Sequence, residues 1–279
     1  MRVGISACSD GQFIEWKKQN EELKAFIGEL GIEAVFAEHI YAKKDSFSGT
    51  DKERAEDLMS FYKDDSIEAI YDISGGDLAN GILKYLDWDL IANTDKTFWG
   101  YSDLTTIINA IFTKTGKTSV LYHVKNTVYA EAELQRKRFA DYVSEKNNDL
   151  FDVKYSFLQG EKLNGVVVGG NIRCFLKLAG TEYWPDMTGK VLLLEAYSGE
   201  ISQIATLFSQ LEQMGVFDQV TGILLGTFTK FEKSGATQSV FDLLKEHIPE
   251  TLPVAQTSEI GHGADSKAIV IGENVGLKR

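Results

Sequence analysis

The chain has 279 residues, a formal charge of −12 and an apolar fraction of 43%. That length and apolar content support one large or two ordinary globular domains and exclude a disordered chain, while the acidity argues against a nucleic-acid-binding surface. Its two cysteines, Cys8 and Cys174, form no C-x-x-C and no Cys/His cluster, so neither a disulfide framework nor a metal site is expected.

The N-terminal stretch "MRVGISACSDG" holds a short buried-strand pattern, Arg2–Ala7, without the apolar core of a leader peptide. No stretch approaches the roughly 20 apolar residues of a membrane span, and a cytoplasmic protein is the simplest expectation. Next, "FIEWKKQNEELKAFIGEL" puts Phe13, Trp16, Leu23, Phe26, Ile27 and Leu30 roughly on one helical face. "EAVFAE" reads as a second strand. "TDKERAEDLMSFYKD" opens with the capping box Thr50 and Glu53 and continues as a helix. "EAIYDI" is a third strand, and "SGGDLANGILKYLD" a glycine turn into a short helix. "TFWG", a helix after Ser102, and the strand "SVLYH" follow. Strands separated by helices of this length imply right-handed crossovers and a mostly parallel sheet.

A long polar helix, "AEAELQRKRFADYVSEKNND", leads to a charged, turn-rich stretch at 147–152. The expected organisation is therefore an N-terminal α/β domain over 1–125, a helical linker over 126–153 and a C-terminal domain over 154–279. The last part is rich in strand patterns: "KYSFLQG", "GVVVGG", "KVLLLEA", "GILLGTF", "VAQTSEI" and "KAIVIG". Two helices interrupt it, the amphipathic "EISQIATLFSQLEQMG" and "SVFDLLKEHI".

Several positions carry possible chemistry. Ser102 lies just past the carboxyl end of a strand, where open α/β sheets place ligand-binding groups. Strand, turn and helix around G-Y-S-D resemble a nucleophile elbow, although its usual second glycine is missing. The plainer reading is a helix cap. Gly75-Gly76 ends another strand, as a backbone donor or as a simple turn. Glu195 closes an apolar strand, where a carboxylate is costly to bury without a partner. His262, flanked by glycines in "EIGHGADSK", has a sterically open imidazole. Serine, histidine and glutamate together supply a nucleophile, a base and an orienting acid.

In order, "GGDLANGILKYLDWDLI", "FWGYSDLTTIINAI", "GVVVGGNIRCFLKLAGTEYWPDMTGKVLLLE", "SQLEQMGVFDQVTGILLGTF" and "IGHGADSKAIVIG" resemble the LD-carboxypeptidase family of serine peptidases. That family includes the microcin C immunity peptidases. The resemblance implies a flavodoxin-like N-terminal domain with a mostly parallel sheet and a smaller, β-rich C-terminal domain. It implies Ser102 as nucleophile, Glu195 as triad acid and His262 as base, with oxyanion donors at the backbone N–H of Asp103 and of Gly76 or Gly75. No cofactor or metal is implied. The implied reaction is release of terminal D-Ala from a murein tetrapeptide in cytoplasmic wall recycling, by a homodimer. Cleavage of an aminoacyl-nucleotide amide is the nearest alternative, with Trp184 as a platform for the base. A binding module without catalysis is a further alternative. Arg173 is the expected partner of the substrate carboxylate. Where many relatives carry H-G-P, this chain reads His123-Val124-Lys125.

Overall fold

A computed structural model describes all residues, 1–279. The first half alternates as expected: β1 (Arg2–Ser6), α1 (Lys17–Glu29), β2 (Glu33–Phe36), α2 (Asp51–Lys63), β3 (Ala69–Asp72), α3 (Trp88–Ala92), β4 (Thr97–Gly100), α4 (Thr105–Thr115) and β5 (Ser119–Leu121). These five strands pair in the order β5-β4-β3-β1-β2, all parallel. Apolar runs such as Val3 and Ile5 or Ile70 and Tyr71 are buried, as a sheet covered by helices requires. Thr50 caps α2 through the expected box, its hydroxyl accepting from the Glu53 N–H at 3.2 Å.

After α5 (Ala132–Val143) the chain builds a second, mixed sheet. Its elements are β6 (Ser156–Gln159), β7 (Lys162–Asn171), α6 (Ile172–Phe175), β8 (Lys190–Ala196), α7 (Ile201–Gln213), β9 (Gly222–Phe228), α8 (Thr229–Glu232), α9 (Val240–Leu244), β10 (Val254–Gln256), β11 (Ile269–Ile271) and β12 (Asn274–Lys278). The strand order is β12-β7-β8-β9-β10-β6, parallel from β7 to β10 and antiparallel at both edges. Strand β11 leaves this lobe and pairs antiparallel with β5, as a sixth strand on the first sheet.

The two lobes share one core. Ile107, Ile108 and Ile111 of α4 belong to the same apolar cluster as Val167, Val168 and Leu192 of the second sheet. A second cluster covers the other face of the first sheet, where Phe26 of α1 meets Phe139 of α5 with ring centroids 6.2 Å apart. Chain ends and crossing points thus bring the carboxyl ends of β3, β4 and β8 toward one cleft.

Two local expectations change. Phe13 and Trp16 do not join the face formed by Leu23, Phe26 and Ile27. They flank a separate 3-10 turn, Ile14–Trp16, and stay 47% and 38% exposed. The helix expected after Gly76 is a 3-10 run, Ala79–Tyr85, in which Gly81 lets Asp51 approach.

Candidate active site

The turn after β4 is tight because its first residue is glycine. A Cβ on Gly100 would lie 2.6 Å from the Leu104 side chain. Ser102 itself takes φ +54°, a left-handed conformation unfavourable for a residue with a Cβ. Such strain persists only where the surroundings enforce it, and it lifts the hydroxyl out of the turn. Ser102 is not a cap: no side chain caps the 3-10 turn Ser102–Leu104 or α4. Its Oγ lies 3.1 Å from His262 Nε2.

The other ring nitrogen of His262, Nδ1, lies 2.7 Å from Glu195 Oε2. Glu195 is fully buried, and its Oε1 has no partner in the protein. The strand end that looked costly for a carboxylate is therefore occupied by one whose only close base is histidine. With Nδ1–H donating to Glu195, Nε2 is left to accept the serine proton. The structure thus brings Ser102 of the first lobe together with Glu195 and His262 of the second.

Tyr101 is a participant that sequence reasoning passed over. Its hydroxyl donates to Glu195 Oε2 at 3.4 Å and lies 3.1 Å from His262 Nδ1. Burial and the nearby carboxylate push its pKa well up, so it stays a protonated donor. On the far side Tyr197 packs on the same imidazole, with centroids 5.1 Å apart. His123 also faces the cleft. Burial, with Lys125 and His262 nearby, pushes its pKa down to about 3, so it is neutral near pH 7.

Gly76 adopts φ +123°, and a side chain there would collide with the Asp10 carboxylate. Neither the Gly75 nor the Gly76 N–H is taken up by an acceptor within the chain. Asp103 uses its carboxylate away from its own helix. Oδ2 accepts from Ser9 Oγ at 2.7 Å and from the Ala79 N–H at 2.9 Å.

Gly75, Gly76, Ser102 and His262 open into one cavity of about 570 Å³. Its outer wall is aromatic, with Phe13 and Trp16 edge to face at 5.1 Å and Tyr129 near them. Behind that wall Lys125 is fully buried. Its Nζ donates to Gln12 Oε1 at 2.5 Å and lies 4.8 Å from the Trp16 ring. No carboxylate lies within ion-pair distance of it, and burial pushes its pKa down to about 8.

Arg173 and Trp184 lie elsewhere. Arg173, expected to meet a substrate carboxylate, instead pairs with Asp77 and does not line the cavity. Trp184 packs on Phe175, centroids 4.5 Å apart, away from the cleft. The spacing that puts Trp16 on the face of the following helix gives no sign of its place in the cavity wall.

Residues 3–122 match the LD-carboxypeptidase N-terminal domain, and residues 164–277 match the LD-carboxypeptidase C-terminal domain. The chain is 28% identical to a probable murein peptide carboxypeptidase of Bacillus subtilis, covering 90% of this chain and 82% of that one. It is 27% identical to the microcin C7 self-immunity protein MccF of Escherichia coli, covering 82% and 76%. Among solved structures, MccF in complex with glutamyl sulfamoyl guanosine superposes with a TM-score of 0.87 at 21% identity, over 100% of this chain and 96% of that one. The muramoyltetrapeptide carboxypeptidase of Oxalobacter formigenes gives 0.83 at 19% identity, over 100% and 95%. These structural likenesses concern the two-lobed fold.

Proposed function

Because the chain belongs to the LD-carboxypeptidase family, we propose that it is a serine carboxypeptidase working through Ser102, His262 and Glu195. The observation that carries this reading is the hydrogen-bonded line from Ser102 Oγ through both His262 nitrogens to Glu195, open to a cavity.

Ser102 Oγ attacks the carbonyl carbon of an amide while its proton passes to His262 Nε2. Glu195 holds the ring in the tautomer that accepts this proton and stabilises the imidazolium. The tetrahedral oxygen takes hydrogen bonds from the Asp103 N–H and from Gly76 or Gly75. The imidazolium then protonates the leaving amine nitrogen as the C–N bond breaks. Water, deprotonated by the same imidazole, releases the acyl group and restores Ser102.

The proposed substrate is a murein tetrapeptide that loses its terminal D-Ala. Support comes from the match to a murein peptide carboxypeptidase. On this reading the reaction belongs to cytoplasmic recycling of wall peptides, by a homodimer.

A second substrate reading rests on the exposed Phe13–Trp16 step, which offers a face to a nucleobase. It fits the relation to MccF, whose complexes hold glutamyl sulfamoyl guanosine and aspartyl sulfamoyl adenosine. Mass spectrometry on purified protein incubated separately with tetrapeptide and with an aminoacyl sulfamoyl adenosine separates the two. Release of D-Ala with the adenosine compound intact supports the murein reading. The opposite pattern replaces it with the nucleotide reading. Turnover of neither substrate removes both and leaves a binding module.

A further inference from the structure

The two turns expected to supply oxyanion donors are both gripped by one side chain from the other lobe. Lys177 sits in the 3-10 turn Leu176–Leu178, directly after α6. Its Nζ donates to Asp103 Oδ1 at 2.5 Å, to Asp77 Oδ1 at 2.9 Å and to the Asp77 carbonyl at 3.0 Å. An ammonium has three protons to give. All three go to residues that bear on the hole: Asp103 carries one donor N–H, and Asp77 directly follows Gly76.

Each anchor is itself held fast. The Asp103 carboxylate is fully buried, and Oδ2 is committed to Ser9 and Ala79. The Asp77 N–H donates to Asp10 Oδ1 at 3.0 Å, on the side of the turn that a Gly76 side chain would fill. The two turns are already tied by Asp103 Oδ2, which accepts from the Ala79 N–H; Lys177 adds a second tie, from Asp103 Oδ1 to the Asp77 carboxylate and carbonyl, nearer to Gly76. Burial opposes the charge on Lys177, but Asp103 and Asp77, with Cys174 nearby, together outweigh it and the net pKa is raised, so the side chain is an ammonium.

Joining the lobes does not require this junction, because α4 already packs on β7 and α6 in a continuous apolar core. Buried ion pairs are in any case weak sources of stability. What the junction does fix is geometry. Oxyanion donors act only when they point at the position the developing charge will occupy.

We propose that Lys177 is a positioning residue for the oxyanion hole, holding the Gly75–Gly76 and Ser102–Asp103 turns at the separation that aims both sets of N–H groups at one oxygen. The proposal rests on the serine-peptidase reading. It assigns to a second-lobe residue that touches no substrate a role in transition-state stabilisation.

The test uses a fluorophosphonate, whose phosphorus is attacked by an active-site serine through a pentacoordinate species, with fluoride leaving and the negatively polarised phosphoryl oxygen seated in the oxyanion hole; it needs no knowledge of the natural substrate. The full chain is compared as wild type, Lys177→Met, Lys177→Arg and Ser102→Ala, with circular dichroism reporting the folded state. For Lys177→Met the maximal inactivation rate kinact falls about 10²-fold, the size of losing one oxyanion donor, while the half-saturating concentration KI stays within about threefold. Lys177→Arg, which keeps the charge and the donors, recovers most of the rate. A folded Lys177→Met with kinact near wild type overturns the proposal, as does a loss confined to KI. If Lys177→Met does not fold, Asp77→Ala serves instead, since that side chain is exposed; it must lower kinact with KI unchanged, and unaltered kinact overturns the proposal. Wild type that takes no label at Ser102 overturns the serine reading itself, an outcome distinct from failure of the Lys177 variants alone.

Discussion

The Tyr101 hydroxyl reaches across the lobe boundary to the Glu195 carboxylate, 3.4 Å from Oε2 and beside the histidine that shares this oxygen. On the proposed mechanism, the residue preceding the nucleophile helps orient the acid. Removing one neutral donor to a carboxylate that keeps its main partner costs about 0.5–1.5 kcal/mol. Tyr101→Phe is therefore expected to lower kcat by roughly two- to tenfold with little change in KM, as steady-state kinetics will read. A loss near that of a triad deletion contradicts this secondary role.

Glu195→Gln separates chemistry from stability. The amide preserves shape but cannot hold the imidazole in its working tautomer or stabilise the imidazolium. The expected drop in kcat is about 10³–10⁴-fold. Thermal unfolding is expected to occur at the wild-type temperature or higher, because a buried charge with one unpartnered oxygen has been neutralised. A variant that keeps wild-type kcat removes Glu195 from the mechanism.

Gly76→Ala tests the other side of the hole. Its φ of +123° and the Asp10 carboxylate leave no room for a methyl group. The turn must shift, at a cost of about 1–3 kcal/mol in stability. Displacing the donor lowers kcat by roughly 10²-fold or more. Gly75→Ala has open space around it and is the milder change. Equal kcat for Gly76→Ala and wild type contradicts a donor at this turn.

Lys125 gives a pH signature. Its folded pKa of about 8 lies below the ordinary lysine value of 10.5. Between these values the unfolded chain binds more protons, so this group makes the folded state more stable as pH rises from about 8 toward 10.5. Below that window the full penalty applies, at most about 3 kcal/mol. Lys125→Met is expected to be more stable than wild type at pH 7, by an amount that shrinks across the window. Denaturant unfolding at several pH values gives the difference curve directly. A difference that does not vary with pH contradicts an uncompensated buried cation.

The parallel strands of the first lobe were legible because each is an apolar run bounded by helix signals. Ser102 was legible as a strand-end residue, but only the backbone geometry distinguishes a raised hydroxyl from a cap. Glu195 and His262 lie 67 residues apart in the chain, and local patterns carry no information about such a meeting. Strand β12 was missed because "NVGLK" is short, half-exposed and held by pairing to β7 rather than by its own apolar content. Trp16 reads as part of the helical face because the spacing continues across a turn that changes direction. Arg173 was taken for a substrate contact, since sequence cannot show that Asp77, almost a hundred positions away, claims it first.

The central claim is that one hydroxyl does the bond breaking. Its most direct measurement is release of D-Ala from a murein tetrapeptide, followed by mass spectrometry for wild type and Ser102→Ala in parallel. The account predicts release by wild type and a loss of at least about 10³-fold in the variant, with the acyl adduct of a rapidly quenched wild-type reaction mapping to Ser102. D-Ala release by Ser102→Ala at the wild-type rate, or an adduct on another residue, contradicts it.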